Sequence, residues 1–411
     1  MKLRSVRGTH DIFGENIRKN ALIEKIVTRK AELNSFQKIE TPIFEFSELF
    51  AKPLGEQSDV VLKEMYSFKD RNEEMLTLRP EYTTPMIRAA ITNNLLNELP
   101  LKIFGLGAMF RRERPQKGRY RQFNQINFEI FGTNDFMADL ELIVLGNDIL
   151  KSILPNSKFI LNLNTLGQKN NLKEYKNKLT NYFKDKKEKL SDESKEKILS
   201  NPLRILDSNN DKDIMISSNA PNIQEFISTE EKNHFLDIKK GLDFLKIKYV
   251  ENNKLVRGLD YYCSTVFEFK TSELGSQNTL LGGGRYDGLI GVLGGPDIPG
   301  IGWAAGIERI SMLMNSTNSN FTKVHLAISD KKYRSQIQNI MKYLRENNIS
   351  FYWNYKYNLK KSLSKANFNK IEYVIIIGED EFNNNFYSIR NLNTGKQSKL
   401  NENEIKKFLN D

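Results

Sequence analysis

The chain has 411 residues, too many for one ordinary core, so two or three domains are expected. Hydrophobic residues make up 39%, which excludes a disordered chain, and no run of about 18 apolar residues exists to span a membrane. Lys plus Arg number 62 against 51 Asp plus Glu, an excess of 11 that favours a polyanionic partner without naming one.

The start, Met1-Lys2-Leu3-Arg4-Ser5-Val6-Arg7-Gly8, lacks the apolar core of a signal peptide. The single Cys263 excludes an internal disulfide and a multi-cysteine zinc site. His10, His234 and His325 are too scattered for a zinc-protease motif. A soluble protein in a reducing, cytoplasmic compartment is expected. Ile17 to Leu33 places Ala21, Leu22, Ile26 and Leu33 among charges at helical spacing and predicts a helix. Thr41-Pro42-Ile43-Phe44-Glu45-Phe46 predicts an extended edge or interface strand, because proline removes a ladder donor. Met75 to Glu81 predicts a strand ending at Pro80. A helix is expected from about Pro85 to Leu96, with Pro85 in its first turn. Glu81 and Thr83 stand at this junction, where a carboxylate and a hydroxyl can simply cap the helix.

Between Arg111 and Arg121 the chain packs five arginines into eleven residues, then turns strand-like. A strand over 122–130 puts Phe123, Gln125, Asn127 and Glu129 on one face and Ile126, Phe128 and Ile130 on the core face. An aromatic, amides and a carboxylate in a row, beside arginine forks, suit a small polar ligand next to a polyanion. A surface hairpin with a solvated basic turn is the plainer reading.

Residues 167–245 differ in texture. Asn170 to Leu190 is rich in Lys and Asn and reads as a charged helix surface. Asn201-Pro202-Leu203-Arg204-Ile205-Leu206-Asp207 is a punctuated turn followed by an apolar run. Then come Arg257-Gly258-Leu259-Asp260-Tyr261-Tyr262, the segment Thr265-Val266-Phe267-Glu268-Phe269, the loop Gly282-Gly283-Gly284-Arg285-Tyr286-Asp287-Gly288, and Gly306-Ile307-Glu308-Arg309. Beyond a polar linker at Asn315 to Asn320, strands are expected at Val324–Ile328, Ile349–Trp353 and Tyr373–Ile377. Helices are expected at Tyr333–Glu346 and Leu359–Ala366. This alternation predicts a small sheet with helices on its faces.

Together these motifs resemble the histidyl-tRNA synthetases, a family of class II aminoacyl-tRNA synthetases, over nearly the whole chain. The arginine-rich hairpin resembles the class II second motif, Gly306 to Arg309 the third, and Thr41 to Phe46 the first, which builds the dimer interface. Arg257 to Tyr262 and the Gly-Gly-Gly-Arg-Tyr-Asp loop resemble the family's histidine signatures. The resemblance implies an α+β class II catalytic domain on a mainly antiparallel sheet over 1–321, with a helical insertion at about 167–245. An α/β anticodon-binding domain over 322–411 follows from it too. It implies ATP-dependent ligation of L-histidine to its tRNA through a histidyl-adenylate, by a homodimer.

The resemblance also implies roles. Arg111 and Arg257 clamp the α-phosphate, and Arg119 and Arg309 lie near the outer phosphates and the adenine. Phe123 stacks on the adenine and Glu113 hydrogen-bonds it. Glu81 and Thr83 hold the α-amino group of histidine. Glu129, with Gln125, Tyr261 and Tyr262, serves the imidazole, which when neutral offers one donor and one acceptor. Arg114 and Gln116 contact the tRNA acceptor end. Mg²⁺ accompanies ATP, with no ligand motif to read. Two departures stand out: Tyr82, where the family often has glycine, and Ser362, where it commonly has glutamine. Two other readings remain. One is a non-catalytic paralogue that senses histidine and regulates ATP phosphoribosyltransferase, which generally lacks the anticodon domain and loses motif arginines. The other is an RNA-binding module that merely holds ATP.

Overall fold

The structure is a computed structural model that describes residues 3–55, 60–275, 278–316 and 322–410. Most of the polar linker expected at Asn315 to Asn320 lies outside the described residues. The chain divides into two compact units, residues 1–316 and 317–411.

The first unit is built on an eight-stranded sheet. Its spatial order is Gln37–Lys38, Leu101–Phe110, Gln122–Phe131, Gly300–Gly306, Thr279–Arg285, Cys263–Lys270, Ile160–Thr165 and Tyr249–Glu251. The two outermost pairings are parallel and the five between them antiparallel. The central strands obey the two-residue period. Ile126, Phe128 and Ile130 turn to one face, where helices Glu15–Leu33, Phe136–Ile153 and Thr229–Phe244 cover them. Phe128 stacks between Phe104 at 5.3 Å and Trp303 at 4.7 Å, an offset aromatic arrangement that adds to its burial. Asp135 starts the helix Phe136–Ile153, accepting from the Met137 amide at 2.9 Å.

The opposite face carries the other side chains of the same strands and supports the site. Helix Thr83–Thr92 lies there, shorter than expected, and a 3₁₀ turn at Leu95–Asn97 continues it. Helices Lys169–Lys184, Asp192–Ser200, Leu203–Leu206 and Asp211–Ser217 fall in chain order between strands Ile160–Thr165 and Tyr249–Glu251, which pair with each other. Leu172, Tyr175, Leu179 and Phe183 point inward at helical spacing, leaving the lysines outside. A smaller sheet, Phe44–Phe46, Met75–Leu78 and Tyr66–Lys69, puts Phe44–Phe46 at an edge. Tyr82 is fully buried, with its hydroxyl 3.3 Å from the Thr41 amide, which donates to it.

The second unit has a five-stranded sheet in the order Phe351–Tyr357, Val324–Ile328, Tyr373–Ile377, Tyr387–Asn391 and Gln397–Leu400. The first three strands are parallel and the last two antiparallel. Helices Arg334–Glu346 and Glu402–Asn410 cover one face and Leu359–Phe368 the other. The strand expected from Ile349 runs instead from Phe351 to Tyr357.

Candidate active site

Phe123, Gln125 and Asn127 floor a cavity of about 830 Å³, within the size range of small-molecule sites. Glu81 and Thr83 enter it from the helix start, and Arg111, Glu113 and Arg119 from the hairpin. Arg257, Tyr261 and Tyr262 come from the loop before strand Cys263–Lys270, and Arg309 from the start of helix Ile307–Leu313. Gln125 Oε1 and Asn127 Oδ1 are buried with no hydrogen-bond partner. Unpaired buried acceptors are rare, and here they face a cavity that a donor can enter.

Glu81 does cap the helix, accepting from the amides of Thr83 and Thr84 at 2.8 Å each and from the Thr84 hydroxyl. It lines the cavity as well. Glu129 lies beneath the floor, fully buried, and does not line the cavity. Thr83 donates to it at 2.8 Å and the Tyr286 hydroxyl donates to its other oxygen. Burial pushes its carboxyl up to about 8, and the nearby Glu81 charge adds to that, against the hydrogen bonds from Tyr286 and Thr83. Gly302, on the facing strand, leaves the room: a Cβ there would collide with the Glu129 carboxylate. The rings of Tyr261 and Tyr262 sit 4.7 Å apart, with Tyr286 edge-on to Tyr261 at 5.6 Å.

Arg111 donates Nε to the Pro80 carbonyl at 2.8 Å, and its guanidinium lies 5.5 Å from the Phe123 ring centroid. Arg119 pairs with Glu113. Arg309 donates to the carbonyls of Gly118 at 2.9 Å and Thr279 at 3.1 Å, tying the hairpin turn to the third motif. Glu308 accepts from the Asn124 amide at 2.9 Å. Burial, and then repulsion from Arg119 and Arg111, hold the Arg309 guanidinium below its ordinary value. Such a crowd of partly desolvated cations is a preformed field for an anion.

Arg257 is held by Glu268 at 2.7 Å, and Glu268 accepts also from Lys270 at 2.7 Å and Thr279 at 2.8 Å. Burial opposes the Arg257 charge, but Glu268 raises its guanidinium above the ordinary value. Its Nε is buried and unpaired. Gly282 lets the guanidinium lie against the sheet, since a Cβ there would sit 2.3 Å from Nη2.

Eleven of the fourteen residues expected from sequence therefore meet around one cavity. Glu129 lies below it, while Arg114 and Gln116 are exposed on the hairpin turn outside it. Asn127 joins Phe123 and Gln125 on the face that strand alternation gave it, whereas Tyr286, Glu268, Asn201, Arg204 and Asp207 belong to the same region and were not expected there. Glu268 had a signal, since Phe267 and Phe269 take the core face and leave it on the other. Tyr286 directly follows strand Thr279–Arg285, so the glycine-rich segment read from sequence as a loop is mostly strand. Asn201, Arg204 and Asp207 arrive through tertiary packing that no local pattern announces.

A mainly antiparallel sheet floored by an arginine-bearing hairpin, with the Gly-Ile-Glu-Arg segment alongside, defines the catalytic domain of a class II aminoacyl-tRNA synthetase. The histidyl-tRNA synthetase family model matches residues 8–310, and an anticodon binding domain model matches 319–411. The chain is 43% identical over 400 residues to the histidine–tRNA ligase of Ehrlichia canis, covering 97% of this chain and 96% of that one. It is 41% identical to the histidine–tRNA ligase of Wolbachia pipientis wMel, covering 97% of each. The crystal structure of apo Staphylococcus aureus histidyl-tRNA synthetase aligns over 100% of both chains, with 28% identity and a TM-score of 0.82. The chain belongs to the histidyl-tRNA synthetase family. Its reaction is the ATP-dependent ligation of histidine to tRNA through a histidyl-adenylate.

Proposed function

We propose that the cavity is where histidine and ATP meet, with the hairpin arginines and Arg257 on the nucleotide side and the Thr83–Tyr261–Tyr262 corner on the histidine side. The histidine carboxylate attacks the α-phosphorus, and the bond to the β-phosphate oxygen breaks to release pyrophosphate. A terminal ribose hydroxyl of tRNA then attacks the adenylate carbonyl and AMP leaves. The first nucleophile is already ionised, so the site supplies cations rather than a base. Arg111 and Arg257 stabilise charge growing on the α-phosphate, an effect worth ~10²–10³ in rate per donor. Phe123 stacks on the adenine with Glu113 at its edge, and Arg119 and Arg309 take the outer phosphates. Among the described residues no group of three or more His, Cys, Asp or Glu is placed to hold a metal ion. Mg²⁺ would enter with ATP and would supply charge neutralisation at its phosphates.

Glu81 and Thr83 take the α-ammonium. Gln125, with its free acceptor, and the tyrosines serve the imidazole. Glu129 sets the polarity of the floor through Thr83 and Tyr286, and accepts the imidazole N–H when one of these hydroxyls gives way. A site built on paired polar groups rejects side chains that cannot satisfy them.

The observation that carries this reading is the convergence of 81–83, 111–129, 257–262 and 309 on one cavity with a buried, unpaired amide oxygen at its floor. Histidine-dependent ATP–pyrophosphate exchange tests it. Exchange that ignores histidine, or that survives Thr83→Val and Arg257→Ala together, contradicts it. The regulatory-paralogue reading is the weaker one, because both Arg111 and Arg257 stand in the cavity and an anticodon-domain match covers 319–411.

On this reading residues 1–321 form the catalytic domain with its insertion at 167–245. Residues 322–411 read the anticodon, and Arg114 and Gln116 meet the acceptor end of the histidine tRNA. The enzyme works in the cytoplasm as a homodimer through the Thr41–Phe46 edge. Ile43, Phe44 and Phe46 are 47%, 54% and 57% exposed there, an apolar set that a second copy would cover. Light scattering across a dilution series tests the dimer, and a fully active monomer contradicts it.

A further inference from the structure

All six residues of the loop from Arg257 to Tyr262 line the cavity, yet the loop forms neither helix nor strand. Its position rests on side-chain contacts. On one side Leu259 and Tyr261 pack on Phe50 and Leu54. On the other side runs the segment Asn201 to Asp207. Asn201 donates Nδ2 to Asp260 at 2.6 Å. Arg204 lies across Gly258, its guanidinium 3.8 Å from where a Cβ would stand. Asp207 is placed where the Arg204 and Arg257 charges act on it. Asn201 lies just before the short helix Leu203–Leu206, Arg204 within it and Asp207 directly after it. Leu203, Ile205 and Leu206 anchor this helix in the core.

We infer that the segment Asn201 to Asp207 is a clamp belonging to the insertion, and that Asn201 is a positioning residue that sets histidine affinity by fixing the loop through Asp260. The inference rests on the reading that Thr83, Tyr261 and Tyr262 hold histidine. An amide donating to a carboxylate is a charge-assisted bond. Losing it loosens the end of the loop that carries both tyrosines, while Arg257 keeps its own anchor on Glu268, Arg111 on Pro80 and Arg309 on Gly118 and Thr279. The clamp therefore acts on histidine binding and not on ATP binding.

The test is steady-state pyrophosphate exchange on the full-length enzyme, with thermal melting as a check of folding. Asn201→Ala should raise KM for histidine about tenfold, the worth of one charged hydrogen bond, with KM for ATP and kcat nearly unchanged. Asn201→Asp sets two carboxylates face to face and should raise it further. Adding Asp260→Asn to Asn201→Asp re-creates the pair with donor and acceptor exchanged, and should bring KM for histidine back toward the original value. Unchanged KM in Asn201→Asp, equal losses for both substrates, or no recovery in the double variant overturns the clamp. Thr83→Val separates this from the underlying reading. If Thr83→Val leaves histidine KM alone, the pocket assignment fails. If it raises KM while Asn201→Asp does not, only the clamp fails.

Discussion

Thr83 donates its hydroxyl to Glu129 across 2.8 Å, joining the start of helix Thr83–Thr92 to the floor strand. Tyr286 takes the second oxygen of the same carboxyl, so the helix start, the floor and the end of the glycine-rich strand Thr279–Arg285 meet at one buried acid. With the charged form so poorly solvated, burial favours a neutral Glu129 at pH 7.

That proton makes stability depend on pH. The Glu129 carboxyl titrates at about 8 in the folded chain, against 4.5 as its ordinary value. Between those values the native state holds a proton that the unfolded chain has lost. Stability therefore falls as pH rises through this window. Glu81, also raised by burial, adds a slope of the same sign. Glu129→Gln removes the larger part. Its melting temperature should gain on the parent steadily from pH 5 to pH 8. A difference that stays constant over that range contradicts the buried proton.

Arg257→Ala should abolish adenylate formation while histidine binding largely survives, because the arginine is assigned to charge that grows only in the transition state. Exchange should fall by ~10²–10³, with histidine affinity measured separately by calorimetry. Glu268→Gln should lower exchange less, since it loosens Arg257 without removing it. Near-normal exchange in Arg257→Ala would sink the assignment.

Asp139 and Arg285 form a buried pair behind the pocket, with Arg285 Nε donating at 2.9 Å and His234 Nε2 3.5 Å from the carboxylate. Removing one partner leaves a buried charge uncompensated, at about 3–5 kcal/mol. Asp139→Ala should lower the first thermal transition by several degrees. Since Arg285 precedes Tyr286, it should also raise KM for histidine. An unchanged melt would show that Asp287, 3.7 Å from the same guanidinium, suffices to hold the charge and that the Asp139 pair adds nothing.

The floor strand was legible because its two-residue period is strict: Ile126, Phe128 and Ile130 are core and Gln125, Asn127 and Glu129 are not. The first three strands of the second unit were legible for a similar reason, as short apolar runs between helical patterns. Its antiparallel extension, Tyr387–Asn391 and Gln397–Leu400, was missed because Gln397-Ser398-Lys399-Leu400 is too polar to read as a strand. It forms by pairing, not by propensity. Glu129 was expected in the cavity wall, and its alternation does place it on the right face. Its depth depends on Gly302 and Tyr286, which lie more than a hundred residues away. The same holds for Asn201 and Asp207, whose roles come from the packing of one short helix against one loop.

Removing residues 322–411 should leave histidine activation mostly intact and lower tRNA charging by about tenfold or more. Every residue assigned to ATP or histidine precedes residue 310, and the first unit has its own cores. The second unit has a separate one around Leu326, Ile337, Ile375 and Ile389. Phosphate contacts from lysines of that unit and of the insertion should make tRNA binding by the full chain fall steeply with salt. Base identity is read instead from unstacked loop bases by hydrogen bonds and stacking. With those contacts gone, the truncated protein should show both weaker tRNA binding and a shallower salt slope. Exchange and charging would be measured side by side, after confirming that the shortened protein is folded and has the oligomeric state of the parent. Charging equal to that of the full chain would mean that residues 322–411 do not read the anticodon.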